Sequence, residues 1–316
     1  MSQRETIVVA LGGNALQRNG KATAEAQIRV ADETARKLVP LVRQGYRLVI
    51  VHGNGPQVGN IVLHEEAINT PSVPTLPLDT CVAMSQGSIG FWLQQSMIDE
   101  FTKQRMPSTA ATMITQMLVD KDDPAFANPS KPIGPFYSET EARELTKTRG
   151  FVVKEDAGRG WRRVVPSPKP SKIVESYTLK ALIGAGVTVI TAGGGGVPVI
   201  QESDGSYTGV EAVIDKDFSA AIVAEEVGAS RLIILTAVDY VMTGFGTPDQ
   251  RKLDKLTVAE ANDLIEKGEF AAGSMLPKVR AALHFVEKTG RSVSIGSLDR
   301  IDEVIAKTSG TVISAS

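Results

Sequence analysis

Three glycine clusters, Gly12-Gly13-Asn14, Gly53-Asn54-Gly55 and the run Gly193 to Gly196, each follow a stretch of apolar, largely β-branched residues. Glycine weakens strands and helices alike, so its concentration at these points asks for a backbone that something approaches closely. Bare backbone after a strand exposes N–H groups, and a helix start beyond it adds partial positive charge. Together these cradle an anion such as phosphate. Two further stretches carry charges suited to the same ligand. "AVIDKDFSAAIVAEEVGA" places Asp215, Lys216 and Asp217 between a short strand and a helix, and "GSMLPKVRAALHFVEKTG" puts Lys278 in a first helical turn behind Pro277. Asp215 has the type of a helix cap. Lys278 opposes the helix dipole, where a structural choice alone favours an acid. Lys131 stands between prolines in "NPSKPIGPF", on a locally rigid backbone. Lysines so placed suit phosphoryl transfer, which is mostly positioning and neutralisation of charge on the transferring oxygens. An acceptor that is already an oxyanion, such as a carboxylate, needs no general base. Repulsion between two anions is then the obstacle, and lysines relieve it.

Other chemistries find less support. No G-x-x-x-x-G-K-[ST] occurs, because Lys21 lacks both the upstream glycine and the following hydroxyl, and "GNGPQVG" has the wrong spacing for G-x-G-x-x-G. His52, His64 and His284 are the whole histidine complement, and no Ser/His/Asp or metal-ligand grouping is apparent. His52 stands beside a glycine loop, where it either meets ligand or is a satisfied near-core residue; His284 reads as structural. Cys81 reads as a small buried residue rather than a nucleophile.

The elements that must hold these residues alternate between strand and helix. "TIVVAL" (6–11), "RLVIV" (47–51), "VTVITA" (187–192), "RLIILTAV" (231–238) and "SVSIGS" (292–297) are nearly continuous apolar runs, as strands covered on both faces are. Ile28, Ala31, Ala35, Leu38 and Val42 step by three and four, predicting a helix that ends near Gly45 with a kink at Pro40. Further helical patterns cover 84–105, 171–185, 216–228, 257–267 and 277–289. The alternation implies an α/β fold with a mostly parallel sheet and helices on both faces, whose ligands gather at the carboxyl ends of the strands. Residues 120–170 break the rhythm with many Pro and Gly and a local basic excess, eight Lys or Arg against Glu155 and Asp156 between Lys147 and Lys172. A folded excursion, such as a lid, fits that length better than a bare loop, and its charge fits either an anion nearby or a solvated surface. With 316 residues, 42% apolar content and a net charge of −2, the chain reads as a globular protein without general affinity for nucleic acid. One cysteine forms no internal disulfide and the apolar runs are too short to span a membrane, so a cytoplasmic protein is expected.

"ALGGNA", "HGNGPQVGN", "PLDTCVAMSQGSIGFWLQQ", "KPIGPF", "EDAGRGWRRVVPSPKP", "GGGGVPV", "GVEAVIDKD" and "GSMLPKVRAA", in this order over nearly the whole chain, resemble the carbamate kinases, a branch of the amino-acid kinase fold family. The resemblance implies one domain, a three-layer α/β/α sandwich with a small protruding lid inserted at about 120–170, working as a homodimer. It implies reversible transfer between ATP and carbamate, giving ADP and carbamoyl phosphate, with Mg²⁺ on the nucleotide and flux towards ATP in arginine breakdown. By the same match Gly12, Gly13, Asn14, Gly53, Asn54 and Gly55 hold carbamate and the transferring phosphate through N–H donors. Lys216 and Lys278 sit on the nucleotide phosphates, with Asp217 orienting a lysine. Gly194, Gly195, Asp215 and Met275 also belong to the nucleotide site, and the stretch 239–248, with Asp239, Tyr240, Val241 and Phe245, borders the adenine. Many members of the wider family carry a lysine just before the first glycine pair. Here Ala10 and Leu11 stand there, so Lys131, arriving from the lid, is expected to replace it as a catalytic group. The rivals are another acyl-phosphate-forming kinase of this fold, acting on an amino-acid carboxylate such as acetylglutamate, and a non-catalytic nucleotide-binding regulator. Retention of Lys131, Lys216, Asp217 and Lys278 together speaks against the regulator.

Overall fold

Alternate residues of the first strand enter two different cores. Val8 and Ala10 pack on one side of the sheet, and Ile7, Val9 and Leu11 on the other. This two-sided burial is why the strands read as unbroken apolar runs. The computed structural model describes residues 4–13, 16, 23–156 and 158–316, and the expected ligand residue Asn14 lies outside them.

The amino-terminal part contains β1 (Thr6–Leu11), α1 (Ala24–Arg43), β2 (Arg47–His52), α2 (Gly55–Ala67), α3 (Leu78–Lys103), β3 (Ala110–Thr112) and β4 (Gln116–Val119). The inserted region follows with β5 (Lys131–Tyr137), α4 (Glu139–Arg149), β6 (Val153–Glu155), β7 (Trp161–Val165) and β8 (Pro170–Ile173). Next come α5 (Ser176–Gly184), β9 (Thr188–Thr191), β10 (Val197–Gln201), β11 (Tyr207–Gly209), α6 (Lys216–Glu226) and β12 (Arg231–Thr236). The chain continues through β13 (Val241–Thr243), β14 (Arg251–Leu253), β15 (Lys255–Thr257), α7 (Val258–Glu266), α8 (Met275–Thr289), β16 (Val293–Ser297), α9 (Ile301–Ile305) and β17 (Thr311–Ser314).

Eight strands form the main sheet in the order β15-β17-β16-β12-β1-β2-β9-β3, and every neighbouring pair is parallel except β16 with β17. Helices α1, α3 and α9 cover one face, and α5, α6, α7 and α8 the other. This is the α/β/α sandwich expected. A smaller sheet, β11-β10-β4-β8, and the antiparallel lid sheet β5-β7-β6 stand beside it. The insertion is thus folded, and α4 carries its own stop signals. Ser138 and Glu141 form a reciprocal capping box at its start, and Gly150 closes it at φ +67°.

Two expectations need correction. Residues 171–185 are not one helix. Pro170 and Ile173 point inwards while Ser171 and Lys172 are exposed, so the stretch begins as β8, antiparallel to β4, and α5 starts only at Ser176. No strand leads directly into Asp215; β11 ends at Gly209, and the buried Ala212 to Ile214 run irregularly beneath the site. Helix α1 continues through Pro40 to Arg43. Because Pro40 lies in the last turn, it removes one hydrogen bond without ending the helix early. Gly45, at φ +97°, then reverses the chain as expected.

Candidate active site

The carboxyl ends of β1, β2, β9 and β12 open onto one cavity of about 400 Å³. Its wall includes Gly12, Gly13, Gly53, Asn54, Gly55, Lys131, Gly194, Asp215, Lys216, Asp217 and Lys278, so most of the residues singled out in the sequence meet here. Helices α2, α6 and α8 all begin at this wall. The positive ends of these helices make the cavity a seat for anions.

At its centre Asp217, 2% exposed, accepts from two lysines at once: Lys216 Nζ at 2.6 Å and Lys278 Nζ at 2.7 Å. Asp215 caps α6, its Oδ1 accepting from the Asp217 N–H at 2.9 Å, while its Oδ2 accepts from Lys131 Nζ at 2.6 Å. Asp215 is therefore both the helix cap its type suggests and part of the site. Lys131 begins β5 and reaches Asp215 from the lid, across the cavity from the main sheet.

Burial governs these charges first. It pulls the Lys216 ammonium down to about 8, against the opposing pull of Asp217. At Lys278 burial works the same way, but the Asp217 carboxylate outweighs it and leaves that group raised. At Asp217 burial favours the neutral acid, yet the two lysines override it and hold the carboxyl well below its ordinary range. Asp215 is lowered likewise, with Lys131 offsetting the cost of burial.

The glycines answer to several demands. A Cβ on Gly53 would press on the Lys216 stem at 3.2 Å, so this glycine lets the lysine cross the loop. The N–H groups of Gly12 and Gly53 donate to the carbonyls of Leu235 and Leu11, so these two are not the ligand donors expected from the sequence. At the α2 start the N–H groups of Gly55 and Gln57 have no acceptor in the preceding turn and face the ligand side as donors. In the four-glycine run the crowding comes from the protein itself. A Cβ on Gly193 would fall 2.4 Å from His52 Nε2, and one on Gly194, at φ +65°, would fall 2.0 Å from Asn54 Nδ2. Gly195, at φ +96°, would strike the Ile214 carbonyl oxygen at 2.4 Å; it lies below the cavity wall, its own carbonyl accepting from Ser219. Beside Gly194 that space belongs to Asn54, and the positive φ would strain any side chain there. Gly194→Ala is expected to cost about 1–3 kcal/mol through backbone strain and to push Asn54 off Ser85, which it now bonds at 2.8 Å. Thermal unfolding and the KM for nucleotide check both effects.

Several residues fall outside the cavity. Asp239 approaches Arg300 at 3.7 Å, the Tyr240 ring carries Lys252, Val241 is buried with its N–H on Thr311, and Phe245 is 65% exposed. Met275 opens α8 and packs against the core. His52 is fully buried, its Nδ1–H donating to the Gly53 carbonyl at 2.9 Å, and burial lowers its pKa to about 4. It is a neutral structural residue. Cys81 is buried and its thiol is pushed up to about 11.

The cavity also contains residues that the sequence argument did not single out: Asp156, Arg159, Arg162, Thr236 and Ala237. The two arginines belong to the basic excess already noted in the insertion. Thr236 and Ala237 end β12, where the strand-end rule that found the glycine loops applies equally, though no glycine marks the place.

A sequence profile of the amino acid kinase family matches residues 5–297, and the chain belongs to that family. Within it, the chain stands with the carbamate kinases. It is 50% identical to carbamate kinase 2 of Enterococcus faecalis over 308 residues, covering 97% of this chain and 98% of that one. Carbamate kinase from Giardia lamblia bound to citric acid superposes with a TM-score of 0.93 at 41% identity, covering 99% of both chains. The same enzyme bound to AMP-PNP gives 0.89 at 42% identity, again over 99% of both.

Proposed function

We propose that this cavity catalyses ATP + carbamate ⇌ ADP + carbamoyl phosphate, run towards ATP in arginine breakdown. The observation that carries the reading is the convergence of Lys131, Lys216 and Lys278 with three helix starts on one small cavity. In the forward direction a carbamate oxygen attacks the γ-phosphorus, an O–P bond forms, and the bond to the β-phosphate oxygen breaks. No proton has to leave the nucleophile. The lysines neutralise the oxygens of both anions, with Lys131 on the lid side and Lys216 and Lys278 on the nucleotide side. The α2 start, Gly13 and Asn14 receive the carbamate end. The adenine lies over the stretch 239–248, where Tyr240 and the exposed Phe245 offer ring faces.

The carboxylates lining the cavity, Asp156, Asp215 and Asp217, are each paired with cations. Mg²⁺ is therefore assigned to the nucleotide phosphates, as is usual for this ion. One domain with an inserted lid, a cytoplasmic location and a homodimer complete the reading. Among the described residues no helix is long and apolar enough to cross a membrane. Met84 and Phe91, two turns apart on α3 and 41% and 56% exposed, are apolar groups available to a second copy; light scattering after size exclusion measures the dimer.

Lys216 supplies the pH test. Its folded pKa is lowered to about 8, so its charge is present below that pH and lost above it. The kcat/KM for ADP is expected to fall as pH rises through about 8, since this ratio reports the free enzyme. In Lys216→Arg, which stays charged, any remaining activity should lack that basic limb. A limb unchanged in the arginine variant assigns it to another group.

A further inference from the structure

The lid strand is fastened to α2 at a point where two backbones touch. An ideal Cβ on Gly59 falls 2.0 Å from both Cα and N of Gly134, and 3.0 Å from the carbonyl carbon of Ile133. Gly134 stands at φ +71°, where the pairing of β5 with β7 shifts register between Ile133 and Tyr137. Its carbonyl accepts twice from Arg162, at 3.2 Å from Nε and 2.8 Å from Nη2. That arginine, 12% exposed, also reaches Asp156. Around the contact Ile133 and Val165 of the lid share an apolar cluster with Val58 and Val62 of α2. Gly134 lies three residues along β5 from Lys131, and Gly59 lies on the helix that begins at the Gly53-Asn54-Gly55 loop.

We propose that the Gly59–Gly134 contact, clamped by Arg162, is the positioning device for Lys131. It seats the lid strand on the loop-bearing helix, so that where the two are packed together the distance of Lys131 from the substrate loop is set by backbone contact. The proposal rests on the reading of Lys131 as the lysine that meets the transferring phosphate. A side chain at 59 cannot be absorbed by rotamer change, because both partners are backbone. To reach an ordinary contact of 3.4 Å the two segments must separate by more than 1 Å. A displacement of that size at a reacting group costs about 10²-fold in rate. The flexible lysine stem takes up part of it, so a loss of about tenfold or more in kcat is expected.

The test is a double-mutant cycle in the full-length protein, following ATP formation from ADP and carbamoyl phosphate. Gly59→Ala should lower kcat by at least about tenfold and leave the KM for ADP within about twofold; on the Lys131→Ala background it should cost less than about threefold. Gly184→Ala, at an exposed helical glycine with open space around it, should leave both constants unchanged. A loss of equal size with and without Lys131, or none, overturns the proposal and makes Gly59 a packing residue only. If Gly59→Ala does not fold, Ile133→Ala in the same cluster enters the same cycle, and additivity there has the same meaning. Full activity in Lys131→Ala itself would remove the reading of Lys131, an outcome distinct from additivity.

Discussion

Lys131→Ala is expected to lower kcat by about 10²–10³, the usual cost of removing one preorganised charge from a developing phosphoryl transition state. Its melting temperature should barely move. Lys131 and Asp215 are 25% and 20% exposed, so their pair keeps contact with solvent and its loss costs less than that of a fully buried pair. Asp215 keeps its cap on α6 without the lysine. The effect therefore separates chemistry from folding, which few positions in this cavity allow. Ala10 and Leu11 put no cation at the end of β1, and the lid supplies Lys131, Arg159 and Arg162 to the cavity from its own side. Lys131→Arg should recover part of the rate. A loss below tenfold would return Lys131 to the solvated surface.

Asp217→Ala should have the opposite profile, losing stability and activity together. The carboxylate is 2% exposed and bonds both Lys216 and Lys278. Deleting it leaves two buried cations without their anion, at a cost of about 3–5 kcal/mol. Its folded pKa is depressed, so the stability it contributes is fully present above the ordinary carboxylate range and fades as pH falls below it. The same deletion removes the group that holds Lys216 up against burial, so that lysine should titrate lower still in the variant. Unfolding in urea and a kcat/KM measurement check the two halves. Unchanged stability would mean that the lysines find other partners, and the central ion triad would lose its role.

The main sheet was legible because its strands are buried on both faces, and the runs around Val8, Ile50 and Ile233 carry no polar interruption. The glycine clusters identified the strand ends correctly, but their cause was only half legible. Gly194 does line the cavity, yet what it accommodates is Asn54, a contact between segments 140 residues apart in sequence. The same limit hid Gly59, an ordinary helical glycine until Gly134 arrives against it. Ser171 and Lys172 misled because a short strand with two exposed residues resembles the start of the helix behind it. Arg159 and Arg162 were visible as charge but not as wall, since only the fold of the lid turns them inwards. Lys131, Lys216 and Lys278 do line one cavity, and Lys278 stood out in the sequence because a cation at a helix start runs against the dipole, a conflict that local structure alone does not explain.

The measurement that tests the central claim most directly is ATP formation by the purified protein from ADP, Mg²⁺ and carbamoyl phosphate, with acetyl phosphate and N-acetylglutamyl phosphate run alongside. Rapid ATP from carbamoyl phosphate, with little from the larger acyl phosphate, is the predicted result. No ATP from any donor, together with clear ADP binding by calorimetry, would contradict it and leave the cavity a nucleotide-binding site without transfer.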